Sequence, residues 1–284
     1  MKYLMFLTLL LLSYCIYAQD LTIIDYANVK CSYERKEVKD TLTGIAREDL
    51  IYLQIGDKYS KCYSFYTHRF DSLRVYGREE LSRMIVTMNK NWSDIGNSYF
   101  APTSDPFPRM TTYLFKNYSH GEMIILDRIM GDYYQYEEGK NLQEWDLQED
   151  STKTILGHEC QKATCKFRGR VWTAWFALDI PISDGPWKFS GLPGLIMEVY
   201  DKGEQYYFCI NGMQQVKSEP IYFGIVGIET KRFEKASFSA FLKAEYKFLR
   251  GNRSPLAESI GLPQTESNYI PRFDWIEREE KYWH

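Results

Sequence analysis

Histidine is scarce in this chain, with four in 284 residues. His68, His120, His158 and His284 stand far apart in sequence, which argues against a histidine-based metal centre. Basic residues form no block or stripe and the formal charge is only −3. The electrostatic footprint of a nucleic-acid binder is therefore missing. Beyond the first residues no apolar run approaches the ~20 residues that a membrane-spanning helix needs. Internal repeats, low-complexity blocks and a linker that would divide the chain are also lacking. Phosphate-loop chemistry is excluded at the one glycine-rich stretch. Gly-x4-Gly-Lys fails because no lysine follows Gly194, and Gly-x-Gly-x-x-Gly fails because the hexapeptide at 191–196 has two glycines. A nucleophile elbow fails because Lys188 and Phe189 precede Ser190.

What the chain does contain points to a sheet. Apolar residues make up 44% and aromatics 16%, with 23 tyrosines. Tyrosine favours a pleated, half-buried surface. At the N-terminus, Lys2 precedes "YLMFLTLLLLSY" and then "CIYAQ". That is a short apolar run behind a positive charge, ending near a small residue, and it reads as a secretory signal cleaved after Ala18. Cys15 offers a lipid-anchored alternative, although bulky Tyr14 before it is unfavourable. The mature protein is expected to be exported, with no transmembrane segment after cleavage.

Residues 21–66 read as strands, with a hairpin at Gly56-Asp57. Leu81, Met84, Ile85 and Met88 share one face of a helix over 78–90. "FAPTSDPFPR" is a proline-rich loop. "TTYLFKNY", "EMIILDRIM" and "DYYQYEEG" then follow as strands. "GHECQKATCKF" and "VWTAWFALDIP" flank the turn Arg168-Gly169-Arg170, and "LIMEVY" and "EQYYFCIN" flank Asp201-Lys202-Gly203. A second helix is expected over 233–249. The pattern predicts an α+β fold, with a single curved antiparallel meander and amphipathic helices covering one side. Its architecture would be analogous to a lipoprotein-carrier half-barrel. The predicted organisation is signal peptide 1–18, one β-rich domain 19–255, and a polar C-terminal extension 256–284.

Gly191-Leu192-Pro193-Gly194-Leu195-Ile196 stands out. Pro193 and Gly194 suit the second and third positions of a type II turn, with Gly194 at positive φ. Gly191 would allow a close backbone approach. The strand that follows should alternate, Leu195, Met197 and Val199 on one face and Ile196, Glu198 and Tyr200 on the other. The hexapeptide, with "ILGHECQKA" (155–163) and "WTAWFALDIPISDGPWKF" (172–189) upstream, resembles the exported GLPGLI family of Gram-negative bacteria. That resemblance implies a cell-envelope protein, with Trp187 and Cys160 as companions of the signature. It implies no reaction and no catalytic residue.

Export permits disulfides among Cys31, Cys62, Cys160, Cys165 and Cys209. Cys160 and Cys165 lie about 16 Å apart along one strand and should not join each other. His158-Glu159-Cys160 lacks the spacing of a zinc motif, so neither a metal nor a cofactor is called for. Asp179, Asp184, Glu198 and Asp201 bracket the signature. Asp179 and Asp184 read as turn formers, and Glu198 as facing solvent or pairing with a lysine. Trp187, Trp175, Glu198, Tyr206 and Phe208 are the candidates to face or support a ligand. The expected function is non-enzymatic, the binding of a lipid-like apolar ligand or an outer-membrane protein. The alternatives are a hydrolase using Glu198 or Asp184, and a structural component that docks by a strand edge.

Overall fold

The structure is a computed structural model that describes residues 21–38, 44, 46–95, 108–129, 131–249 and 276–277. The expected signal peptide with Cys15, most of the proline-rich loop and most of the C-terminal extension lie outside the described residues. Among the described residues twelve strands form one sheet: β1 Thr22–Glu37, β2 Arg47–Gly56, β3 Tyr59–Ser64, β4 Tyr113–Asn117, β5 Glu122–Ile129, β6 Asp132–Gly139, β7 Asp146–Ile155, β8 His158–Phe167, β9 Arg170–Ala177, β10 Leu195–Asp201, β11 Tyr206–Phe223 and β12 Phe233–Lys235. The helices are α1 Phe65–Tyr76, α2 Arg78–Ile95 and α3 Phe238–Leu249. No helix among the described residues is long and apolar enough to cross a membrane.

The strand order is β12-β6-β5-β4-β3-β2-β1-β11-β10-β9-β8-β7. Every pairing is antiparallel except β12 with β6. The predicted hairpins at Gly56-Asp57, Arg168-Gly169-Arg170 and Asp201-Lys202-Gly203 join β2 to β3, β8 to β9 and β10 to β11. β7 and β12 are strands that the sequence pattern did not announce.

The sheet is open but strongly curled. β6 and β7 lie ten places apart in the strand order, so a flat sheet would separate them by about 48 Å at ~4.8 Å per strand. Yet only residues 140–145 join Gly139 to Asp146, a reach of at most ~25 Å. The two ends must therefore curve toward each other across a seam. The inner face carries the main core. Along it runs the row Cys31, Leu53, Cys62, Leu114, Ile125 and Tyr136, set by pairwise register from β1 to β6. All six are buried.

The helices divide between the two faces. α3 packs Phe241 against inner-face Tyr136, with ring centroids 5.0 Å apart. α1 lies against the opposite face, where His68 meets Tyr63 and Tyr113 and a second core forms. α1 falls at 65–76, partly inside the stretch expected to be strand. Ser64 starts it, since its Oγ accepts the Thr67 amide at 3.2 Å. The predicted helix over 233–249 begins instead at Phe238, because Phe233–Lys235 is drawn into the sheet beside β6.

Candidate functional site

The connection from β9 to β10, residues 178–194, folds into the curled sheet and fills its inner face. Trp187 and Phe189 are buried there against Trp172, Phe167 and Phe208. Trp172 and Phe189 meet edge to face at 4.7 Å. Trp187 sits at φ +50, and its backbone N–H donates to Cys62 Sγ at 3.2 Å. A non-glycine residue in the left-handed region is held there by its surroundings.

Asp184 anchors this loop, and it is not the turn former the sequence suggested. Its side chain and that of Lys116 are both fully buried, and they pair at 2.5 Å. Lys116 Nζ also donates to Gly185 O at 2.8 Å and Phe189 O at 2.7 Å. Asp184 Oδ2 accepts Ser60 Oγ at 2.6 Å and the Tyr118 hydroxyl at 2.5 Å, and Oδ1 accepts the Gly185 amide at 2.7 Å. A buried ion pair is tolerable only when hydrogen bonds satisfy its remaining lone pairs and protons. Here three donors besides the lysine serve one carboxylate. Burial first, then the Asp184 charge, pushes the Tyr118 hydroxyl far above its ordinary pKa.

The two signature glycines exchange their expected roles. Gly191 takes positive φ, at +91, whereas Gly194 does not. A Cβ on Gly194 would stand 2.0 Å from the Ala177 carbonyl oxygen, so Gly194 is the position of close backbone approach. The Leu195 amide donates to Ile180 O at 3.1 Å, and no type II turn closes across Leu192–Leu195. Strand alternation also breaks, because the register with β9 shifts between Ile196 and Glu198. Ile196 and Val199, not Leu195 and Val199, stand opposite inner-face Phe176 and Ala174.

A second polar cluster lies where the seam closes. Lys188, fully buried between Trp187 and Phe189, pairs with Glu138 of β6 and with Glu277 at 2.7 Å. Arg168, from the β8–β9 turn, pairs with Glu138 and reaches Glu277 at 3.5 Å. The β6–β7 connection ties down the same loop. Gln143 Nε2 donates to Lys188 O at 3.0 Å and Trp145 Nε1 to Ser190 O at 2.8 Å. Beside the cluster is a cleft of about 90 Å³ lined by Arg35, Glu37, Arg109, Asp127, Trp187 and Tyr206 among others. Arg35 is paired with Glu37, and Arg109 lies 3.5 Å over the Tyr66 ring.

The candidate ligand-facing residues are therefore split. Trp187 and Tyr206 line the cleft, and Phe208 supports Phe189 behind it. Trp175 and Glu198 belong to the other face. Glu198 pairs with Lys153 and accepts the Tyr207 hydroxyl at 2.8 Å, and Lys153 lies 4.6 Å over the Trp175 ring. Asp201 is buried, pairs with Arg170 at 2.7 Å and accepts the Tyr206 amide at 2.8 Å. Asp179 is exposed and bonds His158 at 2.6 Å.

The five cysteines that could have paired are free thiols. Cys31 and Cys62 sit across β2 from each other, with Leu53 between them. Two strand spacings are about 10 Å, beyond disulfide reach. β9 and β10 separate Cys160 on β8 from Cys209 on β11. Burial pushes the thiols up, to about 12 for Cys31 and Cys165 and about 11 for Cys62 and Cys160. Among the described residues, no three His, Cys, Asp or Glu side chains form a metal-holding group. Lys116 and Lys188 were not singled out from sequence. Their only signal is a lysine embedded in a run of buried apolar residues, "YLFKN" and "PWKFS".

A family model described as "Protein of unknown function (Porph_ging)" matches residues 166–198, which contain the loop and the hexapeptide. This is consistent with a bacterial family of uncharacterised proteins. No curated protein matches the chain. Solved structures of PNGF-II in C2 and P21 space groups are similar at 12% identity, with TM-scores of 0.48 and 0.47. The matches cover 77% and 78% of this chain and 32% and 33% of those chains. The chain thus spans about a third of the length of these structures.

Proposed function

We propose that this is an exported cell-envelope protein of the GLPGLI type that binds a protein partner and catalyses no reaction. The N-terminal "YLMFLTLLLLSY" supports export, and the hexapeptide with its upstream "DGPWKFS" supports the family. The observation that carries partner binding is the edge strand β7. Among the described residues it pairs on one side only, with β8, and closes one end of the strand order. An unpaired strand edge is a template for an added strand, in which main-chain hydrogen bonds supply affinity. Leu147 on β7 and Leu156 just beyond it are both exposed. The register break between Gln148 and Thr152 limits each regular stretch of this edge to three or four residues, Asp146–Gln148 and Thr152–Ile155. That length suits one specific partner segment and discourages indiscriminate pairing.

The interior favours this reading over an apolar ligand. The β9–β10 loop already occupies the inner face, where Trp187 and Phe189 pack against each other and against Trp172. The two carboxylates considered for hydrolysis are both engaged, Asp184 by Lys116 and Glu198 by Lys153. The test is a photo-crosslinking residue placed in cells at Leu147 or Leu156, with Tyr76 on α1 as an exposed control. A discrete protein adduct from the first two positions and none from the third is expected. Equal labelling at all three, or lipid bound in the purified protein, would overturn the reading.

A further inference from the structure

Glu277 reaches the seam from well beyond α3 in sequence, yet its side chain is one of the more buried carboxylates in the structure. It bonds Lys188 Nζ at 2.7 Å, and its second oxygen lies 3.5 Å from Arg168 Nε. Without Glu277, Glu138 would be the one carboxylate among the described residues shared by those two cations. A fully buried ammonium and a mostly buried guanidinium sharing a single carboxylate leave positive charge uncompensated in low dielectric. The geometry thus calls for a second carboxylate at this point.

The surroundings specify more than charge. Lys188 Nζ lies 4.6 Å from the Phe238 ring centroid and 5.2 Å from that of Tyr136, and Arg168 stacks 4.1 Å over Phe238. Ile276, next to Glu277, packs on the main core. The site therefore receives an aliphatic side chain followed by a carboxylate, from a chain segment arriving at the seam. The fit to Glu277 is incomplete, since the 3.5 Å approach leaves both Arg168 Nε and Glu277 Oε2 without a hydrogen bond among the described residues.

We infer that Lys188 and Arg168, with the rings of Phe238 and Tyr136, form a carboxylate-binding site whose built-in ligand is Ile276–Glu277, and that an acidic peptide segment supplied in trans competes for it. The site is separate from the β7 edge, and it stands or falls independently of partner binding there. A tethered ligand acts at an effective concentration on the order of mM, so the wild-type site is masked against weaker competitors.

The experiment uses an end-capped peptide of residues 271–281, titrated calorimetrically into the full chain and into its Glu277→Arg variant. Arginine at that position would repel Lys188 and Arg168 and release the segment. Binding to the variant should be tighter than to wild type by about tenfold or more. A second peptide with glutamine replacing Glu277 should lose about tenfold, because the charge-assisted contact is gone. If Glu277→Arg does not fold, the full chain with Glu277→Gln replaces it, with the same order of affinities expected. Equal binding to wild type and variant, binding to neither, or indifference to the glutamine change would overturn the inference.

Discussion

Asp184 and Lys116 are the clearest case of a residue-scale effect. Each is fully buried, and each depends on the other for charge balance. Lys116→Met should destabilise the fold by about 3–5 kcal/mol, because it strands a buried carboxylate. Urea unfolding followed by tryptophan fluorescence measures this. A loss below about 1 kcal/mol would mean the pair does not anchor the loop. His68 gives a pH signature. Burial first, then Lys61 and Lys30, lowers its pKa from 6.5 to about 4, and its Nδ1 is buried without a hydrogen-bond partner among the described residues. Between those two values the unfolded chain binds a proton that the folded chain refuses. Stability should therefore fall as pH drops from about 6.5 to about 4, and this contribution should level off below that. Urea midpoints at pH 7 and 4.5 should differ less in His68→Gln than in wild type. An unchanged difference would contradict the assignment.

At the scale of elements, local pattern and tertiary context compete. α1 was unforeseen because "FYTHRF" carries strand-favouring aromatics. The helix depends on Ser64, which caps it and also donates to Asp49 Oδ1 at 2.7 Å. Asp71 within α1 then pairs with Arg128 at 2.6 Å and accepts the Tyr113 hydroxyl at 2.8 Å. Ser64→Ala should cost about 2 kcal/mol, since it removes a cap and leaves Asp49 short of a donor. A thermal melt should show a fall in Tm of roughly 4–8 °C. The hairpins were legible because Gly-Asp and Arg-Gly-Arg turns are local chemistry. β7 was not, because "DLQEDSTKTI" is polar apart from Leu147 and Ile155, shows no alternation, and becomes a strand only by lying along β8. The slip in β10 at Met197 was equally hidden, since period-2 reasoning assumes an unbroken ladder.

For the whole molecule, the governing feature is a sheet that curls without closing. Side chains bridge its seam where hydrogen-bonded strands would have closed a barrel. Arg168 and Lys188 meet Glu138 across it, and the β6–β7 connection ties the loop to the same edge. Arg168→Gln should loosen the seam and leave the rest of the sheet intact. Amides of residues 137–145 should exchange about tenfold faster, equivalent to about 1.4 kcal/mol of local opening. Exchange in β2 and β3 should be unchanged. Uniform acceleration throughout the protein would show that the seam is part of one global unfolding unit.

By itself the sequence determined the sheet class, most strands and the three hairpin turns that join β2 to β3, β8 to β9 and β10 to β11. Those properties follow from side-chain period and turn chemistry, which act within a few residues. Tertiary structure alone decided that Asp184 meets Lys116, that Gly194 and not Gly191 needs the close approach, and that Glu277 arrives at Lys188. Each of these joins residues separated by many positions along the chain, or depends on which backbone happens to pass nearby. Neither is encoded in local pattern, because strand order and curl set the distances.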